Sequence, residues 1–202
     1  MAYLSSSDLE GLKNYKYVCG EDSVGEKLIM PFWNWAVRLL PMWMAPNVVT
    51  LLGLGIVVVS SMLYLPFDLK MTDEFPAWTY AVSGLAVFTY MTMDVLDGKQ
   101  ARRTGSSSPL GQMFDHGCDA WSCQFFLYFP IQIFRIGLSP VSALYYFALT
   151  GIFFAAQWEE YHTGVYRTSQ YGVGLTESYF YLISLIFFQA FSGGKLSDTS
   201  VA

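Results

Sequence analysis

Four aspartates are grouped in the central segment MDVLDGKQARRTGSSSPLGQMFDHGCDAW, which covers residues 93–121. Asp94 and Asp97 are three residues apart, and Asp115 and Asp119 are four apart. Each pair is expected on one face of a helix, because residues at these spacings are neighbours on a helix surface. The connecting loop is short, so the two helices are predicted to be antiparallel neighbours whose carboxylates converge.

Convergent carboxylates in an apolar part of the chain predict a metal site. A buried, unpaired charge is costly, and four like charges also repel one another. One or two divalent cations would remove both problems, and oxygen ligands in contact with phosphate favour Mg²⁺ or Mn²⁺. Two such ions suit phosphoryl transfer, because they stabilise the attacking and the leaving oxygen. The alternatives are a salt-bridge network and a proton relay in a transporter.

Small and basic residues lie between the two aspartate pairs. Gly98 and Ala101, in the loop predicted from Gly98 to Pro109, would let a flat ligand approach the backbone. Arg102, with Lys99 or Arg103, is expected to bind phosphate oxygens, since charge-assisted hydrogen bonds to phosphate are strong. This segment therefore predicts a site for a phosphate-bearing ligand.

The composition indicates a membrane protein. Hydrophobic residues make up 53% of the chain and charged residues only 13%, whereas soluble domains carry about a quarter charged residues. Apolar blocks long enough to cross a bilayer as helices recur along the chain. The predicted fold class is an all-α, polytopic transmembrane helical bundle, with spans at about 47–65, 76–97, 110–136, 140–158 and 178–191.

Three regions are expected around these spans. Residues 1–45 are predicted to form a cytosolic lead-in and an interfacial amphipathic helix, since tryptophan and basic residues favour the headgroup zone. Residues 46–192 would form the transmembrane core, and residues 193–202 a polar tail. The basic residues form no stripe suited to nucleic acid.

The distribution of basic residues predicts a cytosolic amino terminus, because cytosolic loops are rich in lysine and arginine. With that orientation eight basic residues are cytosolic and three lie on the other side. The cytosolic set is Lys13, Lys16, Lys27, Arg38, Lys99, Arg102, Arg103 and Arg167, and the other set is Lys70, Arg135 and Lys195.

The central segment resembles the signature of the CDP-alcohol phosphotransferase family. Its spacing is D-x-x-D-G-x-x-A-R, eight residues, then G-x-x-x-D-x-x-x-D, and it matches every fixed position of that motif. The runs DGKQARRT, SSSPLG and FDHGCD are similar to the eukaryotic cholinephosphotransferase and ethanolaminephosphotransferase branch. LKNYKY, APNVVTLLG and the region around Trp158 and Glu159 also look similar, so the resemblance covers nearly the whole chain.

The resemblance implies a reaction and roles for individual residues. Phosphocholine or phosphoethanolamine would pass from its CDP ester to diacylglycerol, CMP would leave, and His116 would deprotonate the acceptor hydroxyl. A histidine that only bonds a neighbouring carboxylate is the alternative. One Mg²⁺ or Mn²⁺ would be held by Asp94, Asp97 and Asp115, and another by Asp94, Asp115 and Asp119. The implied substrate-binding residues are Asn47, Gly98, Ala101, Arg102, Gly111 and Gln112.

The resemblance also implies a setting and leaves alternatives open. The expected location is the membrane of the endoplasmic reticulum or Golgi, with a homodimer as a possible assembly. Two positions depart from the branch, which commonly has glutamate at Gln112 and often asparagine at Gly105, and its members are about twice as long. The alternatives are a catalytically impaired, truncated form that regulates a full-length partner, and an enzyme that uses CDP-diacylglycerol as donor.

A second, weaker cluster follows the fourth predicted span. It combines aromatic and acidic side chains that could hold a quaternary ammonium by cation–π contact. The alternative is an interfacial aromatic belt with solvated acids. The cluster comprises Trp158, Glu159, Glu160, Tyr161 and His162.

Overall fold

A computed structural model describes residues 5–64 and 66–193, and the described chain is mostly helical. A single 3-10 turn, Val37–Leu39, follows α2, and the short strands β1 and β2 form an antiparallel hairpin. The elements in chain order are α1 Ser6–Asn14, α2 Val24–Ala36, α3 Pro46–Met62, α4 Ala77–Thr104, α5 Pro109–Phe126, α6 Tyr128–Ile133, α7 Pro140–Thr163, β1 Ser169–Gln170, β2 Val173–Gly174 and α8 Leu175–Ser192.

The helices coincide with the predicted spans, although they differ in how well each suits a bilayer. Within the described residues, α7 alone is long and apolar enough to cross a membrane, and α3 is apolar but has only 17 residues. The mostly helical fold is thus confirmed, and the polytopic arrangement stays a prediction. The predicted tail 193–202 lies, after Gly193, outside the described residues.

The end of α4 differs from the expectation that a loop begins at Gly98. The helix continues to Thr104 and ends at Gly105, whose φ of 67° lies in the left-handed region. Glycine and asparagine are the residues that adopt this conformation at helix ends most easily. Position 105 is therefore a helix cap, and Gly98, Ala101 and Arg102 extend the aspartate face of α4.

The third predicted span is divided into two helices. α5 begins with Ser108 as its cap, whose hydroxyl oxygen accepts from the Gly111 amide at 3.1 Å. It ends at Phe126, and α6 begins at Tyr128. Pro130 lacks an amide hydrogen and cannot donate to the Phe126 carbonyl, which is the position where a continuous helix would need that bond.

Antiparallel packing of α4 against α3 and α8 forms the centre of the fold. A β-carbon added at Gly53 of α3 would lie 3.0 Å from the Met93 side chain on α4. One added at Gly84 of α4 would lie 3.0 Å from the Phe187 ring on α8. The absence of side chains at these glycines thus lets the helices approach closely, and α5 completes the group by packing on α3.

The amino-terminal part packs on this bundle rather than standing apart from it. Trp33 of α2 is 1% exposed and joins Val49 and Met91 in an apolar cluster. Leu28 and Trp35 on the other side of α2 are exposed, as expected of an amphipathic helix. The carboxylate of Glu177 accepts from the amides of Gly25 and Gly174, which ties the start of α2 to the start of α8.

Candidate active site

Three of the four aspartates come together between α4 and α5. One carboxylate oxygen from each of Asp94, Asp115 and Asp119 lies within 4.8 Å of the others. Oδ1 of Asp115 is buried and has no hydrogen-bond partner among the described residues. A buried oxygen without a partner is unfavourable unless a cation or donor satisfies it. The donor set is entirely oxygen, so the residues present fit a Mg²⁺ or Mn²⁺ ion.

Two hydroxyl groups donate hydrogen bonds to the aspartate carboxylates. Tyr90 is 2% exposed and donates to Oδ1 of Asp119 at 2.5 Å. Asp97 is buried, and its Oδ2 accepts a short hydrogen bond from the Thr50 hydroxyl on α3. Hydrogen bonds of this kind orient metal-binding side chains. Asp97 thus contacts α3 through one oxygen, and its carboxylate also interacts with that of Asp115.

The basic residues of α4 have distinct partners. Lys99 donates to the Asn34 side chain of α2 at 2.8 Å. Arg103 donates to the carbonyls of Val37 and Leu40. The expectation that Lys99 or Arg103 binds phosphate is therefore not supported by their contacts. Arg102 has no partner among the described residues.

The residues expected to bind substrate surround the same end of the bundle. The Arg102 guanidinium lies beside Gly98, where an added β-carbon would be 3.5 Å from Nη1. An added β-carbon at Gly111 would lie 3.8 Å from Oδ1 of Asn47, so α3 and the start of α5 meet here. Ala101 is one turn beyond Gly98 on α4. Gly98, Ala101 and Arg102 thus continue the helix face that bears Asp94 and Asp97.

His116 lies on α5 and faces α7. Its Nδ1 is 3.1 Å from Oε1 of Gln157. In the tautomer in which Nδ1 donates to this oxygen, Nε2 keeps its lone pair. The imidazole centroid lies 4.8 Å from that of Tyr166 and 6.2 Å from that of Tyr17.

Tyr17 belongs to the strap, the non-helical segment 15–23 between α1 and α2, which pairs with the chain at Tyr166. The amide of Gly20 donates to the Tyr166 carbonyl at 2.8 Å, and the Tyr166 amide donates to the Val18 carbonyl at 2.9 Å. Burial raises the pKa of both the Tyr17 and the Tyr166 phenol. The negative charges of Asp119, Asp94, Glu160 and Asp115 raise the pKa of Tyr166 further.

The side chain of Gln112, one of the two positions that depart from the family branch, has a hydrogen-bond partner. Nε2 of Gln112 donates to Oε1 of Glu160 at 2.9 Å, and the Tyr15 hydroxyl donates to the same oxygen at 3.0 Å. A carboxylate at position 112 could not donate in this way. Trp158, which belongs to the same predicted aromatic and acidic cluster as Glu160, packs on Phe154 and His162 and is 57% exposed.

Comparison with known proteins identifies the family. Residues 43–197 match the model of the CDP-alcohol phosphatidyltransferases, which is more than half of the chain. The chain belongs to this family. The resemblance inferred from the aspartate motif is thereby confirmed.

Relatives of this member of the CDP-alcohol phosphatidyltransferase family include named cholinephosphotransferases. Cholinephosphotransferase 1 of Mus musculus is 36% identical over 200 residues, which are 98% of this chain and 50% of the mouse protein. The Homo sapiens protein of the same name is 36% identical over 98% of this chain and 48% of its own length. An uncharacterized class-I family protein of Schizosaccharomyces pombe is 40% identical over 194 residues, 94% of this chain and 50% of that protein. The chain spans about half the length of the curated relatives it matches.

Several contacts of the aspartate site were not predicted from the sequence. Tyr90 precedes Asp94 by four residues, a helical spacing that could have indicated it. Thr50 follows Asn47 by three residues and could have been found in the same way. Gln157 and Tyr17 carry no such signal, because their positions depend on how α7 and the strap pack against α5.

Proposed function

We propose that the protein is a phosphotransferase that moves phosphocholine or phosphoethanolamine from its CDP ester to diacylglycerol. The observation that carries this proposal is the convergence of Asp94, Asp115 and Asp119, with an unsatisfied buried oxygen on Asp115, beside His116. The names of the mouse and human relatives support a choline-containing substrate.

The aspartates would hold two divalent cations. Asp94, Asp115 and Asp119 would bind one, and Asp94, Asp97 and Asp115 the other, with Mg²⁺ or Mn²⁺ as the expected ion. When bound, such ions supply positive charge that stabilises the attacking and leaving oxygens. Arg102, with no other partner among the described residues, would bind a phosphate oxygen, and Asn47 would contact the nucleotide.

His116 would act as the general base. Its Nε2 lone pair would accept the proton of the diacylglycerol hydroxyl. The resulting oxygen attacks the phosphorus that carries the alcohol, the bond to CMP breaks, and CMP leaves with the bonding electrons. Gly98 and Gly111, which carry no side chains, would give the nucleotide room near the backbone.

The proposed setting is the membrane of the endoplasmic reticulum or Golgi, with the amino terminus in the cytosol. α7 supports membrane insertion, because its surface carries large exposed apolar side chains that water solvates poorly. Diacylglycerol would then enter sideways from the bilayer, and a homodimer is a possible assembly. Engineered glycosylation sites in the segment after Thr104 test the orientation, since their use would place that segment in the lumen.

The function is tested by reconstituting the purified chain in vesicles that contain diacylglycerol. CDP-choline or CDP-ethanolamine is added with Mg²⁺ or Mn²⁺, and CMP release is measured. The expected result is metal-dependent CMP release that is lost in Asp115→Asn and His116→Ala, while His116→Ala still binds CMP. Release that continues in either variant, or metal-dependent binding of CDP-choline without any release, would contradict the proposed reaction.

A further inference from the structure

Two consecutive glutamates near the end of α7 have different surroundings. Glu159 forms an ion pair with Arg167. Glu160 accepts instead from two neutral donors, the Gln112 amide and the Tyr15 hydroxyl. Within residues 5–64 and 66–193, no lysine or arginine pairs with Glu160. Its negative charge is therefore oriented by hydrogen bonds and left without a cation.

The position of Glu160 relates it to the aspartate site. Gln112 precedes His116 by one helical turn on α5, and Glu160 follows Gln157 by three residues on α7. The contacts Gln112–Glu160 and His116–Gln157 thus join α5 and α7 at two points that lie about one helical turn apart. One turn of helix is about 5.4 Å, which is comparable to the length of a two-carbon alcohol esterified to phosphate.

Two aromatic rings lie beside His116 on this side of α5. The centroids of Tyr17 and Tyr166 are 6.2 Å apart, with their planes tilted by 41°, and they lie 6.2 Å and 4.8 Å from that of the imidazole. Tyr15, two residues before Tyr17, donates to Glu160. Faces of aromatic rings attract alkylammonium groups, particularly where water is partly excluded.

We propose that Glu160 is the counter-ion of the ammonium group in the CDP-alcohol substrate, with Tyr17 and Tyr166 beside that group. This inference rests on the proposed function, because it places the alcohol part of the same substrate. Of the second cluster expected from the sequence, Glu160 alone is assigned this role. Trp158 and Tyr161 are exposed, and Glu159 is already paired.

The test compares two nucleotide esters that differ only in charge. One is CDP-choline, and the other is the CDP ester of 3,3-dimethylbutanol, in which carbon replaces the ammonium nitrogen. Binding of each to the purified full chain in lipid nanodiscs is measured in the presence of Mg²⁺, with CMP as the reference ligand. The variants are Glu160→Gln and, as a matched control one residue away, Glu159→Gln.

The expected result is a loss of about tenfold or more in the affinity of Glu160→Gln for CDP-choline, as for removal of a partly desolvated charge partner. Its affinities for the neutral ester and for CMP should stay within about twofold of the wild-type values, and Glu159→Gln should match the wild type for all ligands. Tyr15→Phe keeps the carboxylate but removes one of its donors, so it should show the same selectivity at a smaller magnitude.

The binding measurements distinguish an error in the ammonium subsite from an error in the proposed function. If the wild-type chain binds CDP-choline and Glu160→Gln binds it equally well, the subsite is wrong and the function stands. Equal losses for CDP-choline and the neutral ester would also overturn the subsite. If the wild-type chain binds neither CMP nor CDP-choline with Mg²⁺, both the subsite and the proposed function are wrong.

Discussion

The hydroxyl of Tyr90 provides a sharp test of the metal site. Tyr90→Phe removes the oxygen that donates to Asp119 at 2.5 Å and leaves the ring in place. The ring contacts, at 5.1 Å to Phe126 and 6.3 Å to Tyr179, do not depend on that oxygen. The substitution therefore isolates one buried hydrogen bond to a carboxylate from the packing around it.

The expected magnitude follows from the burial of this bond. Hydrogen bonds to charged groups contribute about 1.5–3 kcal/mol. A change of about 1.4 kcal/mol corresponds to tenfold in an equilibrium constant, so the Mg²⁺ affinity of Tyr90→Phe should fall by about 10- to 100-fold. Losses of this order are typical when a residue that orients a metal ligand is removed.

Thermal unfolding during Mg²⁺ or Mn²⁺ titration measures this affinity, because an ion that binds only the folded state raises the unfolding temperature as its concentration exceeds Kd. Tyr179→Phe is the matched control, since Tyr179 packs on Tyr90 but donates to no aspartate among the described residues. Equal ion affinities in the wild type and Tyr90→Phe, or equal losses in the two variants, would show that the Tyr90 hydroxyl does not orient a metal ligand.

Two further substitutions test the contacts that support the site. Thr50→Val should destabilise the protein by about 1–3 kcal/mol, because it leaves a buried Asp97 oxygen without its donor. Thr50→Ser keeps the hydroxyl and should keep the hydrogen bond. Equal unfolding temperatures for the two variants would contradict this prediction. Burial raises the pKa of Glu177, but the backbone amides of Gly25 and Gly174 outweigh this effect, so the pKa lies below its usual value. The stabilisation by the carboxylate is thus complete above the usual glutamate pKa and is lost as pH falls through the lowered value. Glu177→Gln should lower the free energy of unfolding by about 1 kcal/mol at pH 7, a small value because solvent screens this partly exposed carboxylate. The difference in unfolding temperature between this variant and the wild type should disappear at low pH. A difference that persists at low pH would exclude the charge as its source.

The sequence alone was sufficient to predict the mostly helical fold and the helix faces that carry the aspartates. Apolar blocks and helix-capping residues are local signals, so the mostly helical structure could be predicted from them. The spacing of Asp94, Asp97, Asp115 and Asp119 was sufficient to predict two carboxylate-bearing helix faces, because the period of a helix is fixed by its backbone. Those faces do meet, although α4 extends into the predicted loop as far as Thr104.

Only the tertiary structure decided which partner each polar side chain has. Asp97 turns to Thr50, Lys99 and Arg103 hold α2 and the segment after it, and Glu160 turns to Gln112. None of these pairings was predicted, although helical spacing could have indicated Tyr90 and Thr50 as neighbours of the site. The partners are separated by tens of residues in the chain, and helical periodicity specifies a face without specifying what lies opposite. That choice depends on how closely the helices approach and at what height they cross, which is set by packing at positions such as Gly53 and Gly84.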